Sequence, residues 1–169
     1  MVDVIDPAGI VRSQAIEGLD KRFRLTLNGA ESRHTLAGQF IAGTLGPGVQ
    51  HIAFATNDIF ATAGLLHARG FKALPISPNY YDDVEARFGL DPVLADRLRE
   101  TNILYDRDDE GEFFQLYAPT FGEGFIFEIV ERRGRYGGYG AANAPFRLAA
   151  QKRLMKAQAA RAAREREAC

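Results

Sequence analysis

His51 and Glu128 are the residues whose type and setting could do chemistry. In a half-buried strand residues two apart share a face, so an ionisable group flanked at i±2 by apolar or small residues points where they point. His51 stands between Val49 and Ala53, and Glu128 between Ile126 and Val130. A carboxylate turned inward on a sheet is costly unless it meets a cation, and that cation can be a metal ion or an arginine. An inward imidazole can be a metal ligand or a hydrogen-bonded core residue. The residues alone leave both pairs of alternatives open. The sequence has no GxGxxG after a strand, no GxxxxGK[ST], no HExxH and no GxSxG. The glycine run Gly134 to Gly140 has the wrong spacing for a dinucleotide loop and reads as a mobile segment or lid. His34, in a polar loop, and His67, near the end of a helix, read as peripheral.

The elements that must hold these residues follow from periodicity and capping. Ile10 to Ile16 and Arg22 to Asn28 alternate as strands around a turn at Glu17 to Asp20, and Leu36 to Leu45 reads as a short helix. Val49 to Ala55 is a strand; Asn57 is placed to cap a helix carrying Ile59, Phe60, Ala63 and Leu66, which Gly70 ends. Lys72 to Ile76 reads as a strand, and Pro78 to Thr101 as a helical insert renewed by Asp91 as N-cap and Pro92 at the first helical position. Asn102 to Tyr105, Glu112 to Tyr117 and Gly124 to Glu131 close the unit as three strands. The expectation is an α+β fold with a mostly antiparallel sheet.

With 169 residues, 46% hydrophobic and 25% charged, the chain is ordinary globular material. Its one cysteine, Cys169, excludes an internal disulfide framework and a zinc site of several thiolates. A net charge of −1 argues against nucleic acid as a partner. From Asp82 to Glu112 there are eleven acidic and four basic residues, whereas the Ala-rich stretch from Arg147 onward has seven basic and two acidic. No aromatic residues interleave those basic charges, so the tail reads as a solvated helix that frays toward Cys169. With no signal peptide at MVDVIDPAG and no apolar run long enough to span a bilayer, the expectation is a cytoplasmic protein without a membrane partner.

From Gly48 to Phe146 the sequence resembles the C-terminal domain of the 4-hydroxyphenylpyruvate dioxygenase family, in the vicinal oxygen chelate superfamily. The likeness is carried in order by GVQHIAFATNDI, the pair Tyr80-Tyr81, FFQLY at 113–117, FEIVER at 127–132 and GYGAAN at 138–143. Upstream, Ser13, Asn28 and Gln39 fall at the family's spacing for polar pocket residues. The resemblance implies a glyoxalase/dioxygenase-like βαβββ module with a curved sheet over 47–133, its helical insert at 78–101. Residues 1–46 would be the trailing strands and short helix of a truncated first module, and 134–169 a Gly-rich loop and basic helix. It implies His51 and Glu128 as two members of a two-histidine, one-carboxylate triad, the ligand set that suits Fe(II), with Mg(II) or Co(II) as other divalent ions. Ser13, Asn28, Gln39, Gln115, Tyr117, Tyr139 and Asn143 would bind a small aromatic or 2-oxo acid ligand.

Three features depart from that family. Its other histidine lies on the opening strand of the preceding module, which has no counterpart in these residues. Tyr117, Ile126, Tyr139 and Ala144 stand where the dioxygenases carry phenylalanines, and RLAAQKRLMKAQ is not their usual ending. DPAG at 6–9, ISPNYYDDVEARFGL, NILYDRD at 102–108 and AANAPFRLAAQKRL are similar instead to bacterial two-domain proteins that join a 3-dehydroshikimate dehydratase barrel to a dioxygenase-like domain. Two functions follow as expectations. One is a non-haem metal-dependent dioxygenase acting on an aromatic 2-oxo acid or related ring compound in aromatic catabolism. The other is a non-catalytic accessory or oligomerisation domain of a dehydratase that makes protocatechuate in its barrel. Homo-oligomerisation and covalent continuity with an N-terminal barrel are expected as well.

Overall fold

The computed structural model describes residues 2–6, 8–20 and 22–167. The chain forms two compact units, Met1–His51 with Phe121–Phe125, and Ile52–Thr120 with Ile126–Cys169.

In the first unit, β1 (Val2–Asp6), β2 (Gly9–Glu17) and β3 (Arg24–Ala30) form an antiparallel meander. The register sets Val4 against Val11 and Ser13 against Asn28. β1 was not expected from the sequence. It ends in a buried Asp6, whose carboxylate accepts from Ala8 N at 2.8 Å and from Leu36 N, the first residue of α1 (Leu36–Gly43), at 3.1 Å. Thr35 caps α1 by accepting from Gly38 N. The helix is shorter than expected because Thr44 closes it and Leu45 takes a positive φ of 58°. One face of the meander carries exposed apolar residues: Ile10, Ile16, Leu25 and Leu27.

The second unit is built on a four-stranded sheet, in the order β4 (His51–Ala55), β7 (Ile126–Gly134), β6 (Gly111–Tyr117), β5 (Leu104–Asp108). The β5–β6 and β6–β7 pairs are antiparallel. Helix α2 (Ile59–Ala68) is capped by Asp58, which accepts from Ala61 N, and not by Asn57 as its position suggested. Glu131, buried on β7, accepts from Ile59 N at 2.8 Å and so ties the start of α2 to the sheet.

Residues 72–76 are extended but not a strand. Leu74 N donates to Tyr117 O and Ile76 N to Asn102 Oδ1, two isolated bonds with no ladder. Asn102 itself is the left-handed C-cap of α4 (Pro92–Thr101), with φ 57°, which delays β5 to Leu104. The Asp91-Pro92 start of α4 and Pro78 opening α3 (Pro78–Phe88) are as the sequence predicts. Ile59, Tyr80, Tyr81, Val84, Leu98, Ile103, Tyr105, Phe114 and Leu116 form the centre of the core. The last helix, α5 (Ala144–Glu167), buries Leu148, Ala150 and Gln151 and is exposed from Met155 onward, as expected of a solvated basic tail. Among the described residues no helix is long and apolar enough to cross a membrane.

Candidate functional site

Alternation along β6 and β7 brings Gln115, Tyr117 and Glu128 to one face of the second unit's sheet, with Gln115 opposite Val130 and Tyr117 opposite Glu128. All three are buried. Gln115 Nε2 donates one hydrogen to Glu128 Oε1 at 2.8 Å and the other to the Tyr117 hydroxyl at 2.7 Å. Gln115 Oε1 accepts from Asn143 Nδ2 at 2.9 Å. Asn143 Oδ1 lies 2.9 Å from the Tyr80 hydroxyl, which also accepts from Tyr105 N at 2.7 Å. Every hydrogen-bonding atom of the Gln115 amide is thus engaged, and the chain of contacts runs from α3 through the last turn before α5 to the sheet.

Burial pushes the Tyr117 phenol well above its usual range. The Glu128 carboxylate adds to this, and the Arg147 guanidinium opposes it. Burial likewise raises Tyr80. Both phenols are therefore neutral hydrogen-bonding groups across the physiological range. The uncharged Gln115 amide donates to the buried Glu128 carboxylate and to the Tyr117 hydroxyl, and so joins the two.

The segment between β7 and α5 is latched over this network. The Tyr136 ring stacks on Phe113, with centroids 5.1 Å apart and planes 9° from parallel, and the Arg132 guanidinium lies over the Phe113 ring at 4.1 Å. The Tyr136 hydroxyl donates to Asp106 and accepts from Gly140 N at 3.1 Å. Arg132 donates to Gly138 O, and Gly137 N to Asp108, whose carboxyl is held below its usual range chiefly by that bond. Gly140 has a φ of 62°, and a Cβ there would overlap Gln115 Oε1. This position needs glycine both for its backbone and for its space.

The structure thus brings together four of the residues singled out in the sequence: Gln115, Tyr117, Glu128 and Asn143. Tyr139, beside Gly140, is 40% exposed. In the first unit the Ser13 hydroxyl donates to Asn28 Oδ1 at 2.6 Å, and exposed Gln39 donates to His34 O at 3.3 Å. His51 opens β4 and is exposed. Arg147 and Gln151 on α5 were not anticipated. Their i, i+4 spacing in an Ala-rich helix was the available signal. Tyr136 and Asp106 gave none, since their meeting depends on the path of the glycine segment.

The metal that the family resemblance implies can be tested against these donors. Among the described residues no three His, Cys, Asp or Glu side chains are grouped to hold an ion. One oxygen of the Glu128 carboxylate accepts from the Gln115 amide. The donors of the described residues therefore do not complete a three-ligand site.

No family model matches the chain. The 3-dehydroshikimate dehydratase of Pseudomonas aeruginosa is 45% identical over 146 residues, covering 86% of this chain and 23% of that protein. The 4-hydroxyphenylpyruvate dioxygenase of the same organism is 32% identical over 127 residues, covering 74% of this chain and 36% of that protein. Among solved structures, a xylose isomerase-like TIM barrel/4-hydroxyphenylpyruvate dioxygenase fusion protein superposes with a TM-score of 0.73 at 40% identity, covering 90% of this chain and 25% of the other. The chain therefore spans from 23% to 36% of the length of these relatives. In sequence and in fold it is related to the 4-hydroxyphenylpyruvate dioxygenases, with the α+β architecture of the vicinal oxygen chelate proteins, and it shares that relationship with part of the 3-dehydroshikimate dehydratases.

Proposed function

We propose that this chain is a 4-hydroxyphenylpyruvate dioxygenase-like domain of the non-haem metal-dependent type, taking an aromatic 2-oxo acid or related ring compound in aromatic catabolism. The observation that carries the reading is the buried Glu128 carboxylate, held by the Gln115 amide, itself set by Asn143. In this reading Gln115, Tyr117 and Asn143 present oriented polar groups to a ligand, and Ser13, Asn28, Gln39 and Tyr139 are further ligand-binding residues by resemblance. His51 and Glu128 supply two ligands to a divalent ion, Fe(II) ahead of Mg(II) or Co(II), and the remaining ligand comes from outside the described residues. When bound, such an ion would offer open positions to a chelating 2-oxo acid and to oxygen.

The meander of the first unit supports reading residues 1–46 as the trailing part of a preceding module, with 47–133 a second module and 134–169 its loop and tail. A cytoplasmic location, a homo-oligomer and covalent continuity with an N-terminal barrel belong to the same proposal. The named barrel fusion among the solved structures supports the last.

A second reading, an accessory or oligomerisation domain of a dehydroshikimate dehydratase, is favoured by the ligand set that stays incomplete among the described residues and by the 45% identity to such an enzyme. Calorimetric titration with Fe(II) or Co(II) under anaerobic conditions, with His51→Ala and Glu128→Gln beside the parent chain, separates the two. Micromolar binding lost in both variants, together with oxygen uptake on 4-hydroxyphenylpyruvate when the preceding module is supplied, supports the dioxygenase. Absence of uptake in that longer protein leaves the accessory domain. Light scattering of the same samples reads the oligomer, and a monomer refutes that part.

A further inference from the structure

β4 closes the second unit's sheet, with β7 on one side and, among the described residues, no strand on the other. Such an edge is a template for another chain, and proteins guard it with charge, proline, a bulge or a cover. The opposite edge is guarded in this way: β5 carries Asp106, Arg107 and Asp108, and the Arg107 guanidinium donates to Phe88 O at 2.8 Å. β4 has the sequence HIAFA. Alone among the described strands it contains no Asp, Glu, Lys or Arg, it has no proline, and all five of its residues are exposed.

The direction of its backbone groups follows from one bond. Thr56, directly after β4, donates its N–H to Val130 O on β7 at 2.8 Å. Backbone groups alternate sides along a strand, so Ile52 and Phe54 turn theirs toward β7, whereas Ala53 and Ala55 turn theirs to the open edge. Side chains alternate too. The Phe54 ring stacks on Phe127, with centroids 6.3 Å apart, and Ile52 shares that face. Ile52 is 39% exposed, Phe54 53% and Phe127 42%, so an apolar patch of three side chains lies along the unguarded edge.

We propose that β4 is a homodimer interface, pairing antiparallel with β4 of a second copy about a two-fold axis at Ala53. This register engages all five residues, and the strand matches itself. Ala53 meets the partner's Ala53 as a hydrogen-bonded pair, which the outward direction of its N–H and C=O requires. Ile52 then lies opposite the partner's Phe54, and Phe54 opposite the partner's Ile52, in the pairs whose side chains approach most closely. The two patches around Phe127 become one continuous apolar surface, and no like charges face each other. A two-fold contact of this kind closes after two copies, whereas a head-to-tail contact would not. The inference rests on the homo-oligomer of the proposed function and says where it is built; it requires neither metal nor oxygen.

The test is light scattering of the full chain over a dilution series, with amide exchange on the same samples. The parent chain is expected to pass from dimer to monomer on dilution. Ala53 and Ala55 amides should be protected in the dimer and open in the monomer, while Ile52 and Phe54 amides, facing β7, stay protected in both. Ala53→Pro removes the central N–H at a position where an edge strand tolerates proline, and Phe54→Lys sets a charge on the seam. Each should raise the dimer dissociation constant at least about tenfold, the scale of losing one or two hydrogen bonds or a buried apolar contact. Ile16→Lys, on the exposed face of the meander, should leave the dimer as it is. If Ala53→Pro does not fold, Phe54→Lys decides. A dimer that survives Ala53→Pro and Phe54→Lys, or falls apart in Ile16→Lys alone, overturns this interface and keeps the homo-oligomer. A parent chain that stays monomeric overturns both. Protection of Ala53 and Ala55 in a monomeric longer protein assigns the edge to a preceding segment and likewise overturns the second copy. A β4-dependent dimer without oxygen uptake in the longer protein refutes the dioxygenase and keeps the interface.

Discussion

Asn143 Nδ2 donates to Gln115 Oε1 at 2.9 Å, so a residue at the end of the glycine segment decides which way an amide on β6 faces. With its oxygen held there, Gln115 can turn only N–H groups toward Glu128 and Tyr117, and the carboxylate is met by donors.

Replacing Asn143 by leucine removes that constraint and leaves Gln115 Oε1 short of a partner in a buried setting. The expected loss is about 1–3 kcal/mol of stability, the usual cost of an unsatisfied buried polar group. Urea unfolding of Asn143→Leu beside the parent chain measures it. An unchanged midpoint would mean that water replaces the amide.

Tyr136→Phe keeps the ring stacked on Phe113 but loses the hydroxyl that joins Asp106 to Gly140 N. A stability change of about 1 kcal/mol is expected, of the order of one hydrogen bond. The more telling readout is amide exchange at Gly140, which should lose protection while β6 keeps its own.

Gly140 and Gly89 both have positive φ, but only Gly140 faces a neighbour that an added methyl would strike. Gly89→Ala should cost about 1 kcal/mol, from backbone strain alone. Gly140→Ala should cost about 2–4 kcal/mol, since strain and overpacking against Gln115 add. Equal melting temperatures for the two variants would show that the glycine segment is not held against Gln115.

Tyr80, Tyr81 and Tyr117 are all raised by burial. A raised phenol contributes stability that is complete below its unfolded value, about pH 10, and is lost as pH climbs beyond that, because only the unfolded chain ionises freely. Stability measured between pH 8 and pH 11 should therefore be flat and then fall. Phenolate absorbance from these three side chains should rise together with unfolding. Ionisation of all three in a chain that is still folded would contradict their packing.

What could be read from the sequence was local chemistry. Asp91-Pro92 announces a helix start because cap and first turn lie within three residues, and the inward direction of Glu128 follows from its own neighbours on β7. Where two adjacent polar residues both qualify, composition does not choose: Asp58 and not Asn57 caps α2, because only Asp58 has its side chain at Ala61 N. Lys72 to Ile76 has strand-like residues, but a strand needs a partner, and here two single bonds take the place of one. β1 and its buried Asp6 depend on Leu36, thirty positions away, which no spacing reveals. Gln115 and Asn143 were each singled out through family resemblance, but their contact across 28 residues was not, while Arg147 and Gln151 gave a spacing without a face.

The meander with its uncovered Ile10, Ile16, Leu25 and Leu27 has a consequence for how this chain comes apart. The contiguous apolar cluster lies entirely in the second unit, whereas Val11 and Phe40 are the buried hydrophobic side chains described in the first. Two parts so unequally cored have no reason to melt at one midpoint. A protease given the chain in mild urea should find β1 to β3 first, leaving a resistant fragment that begins near β4.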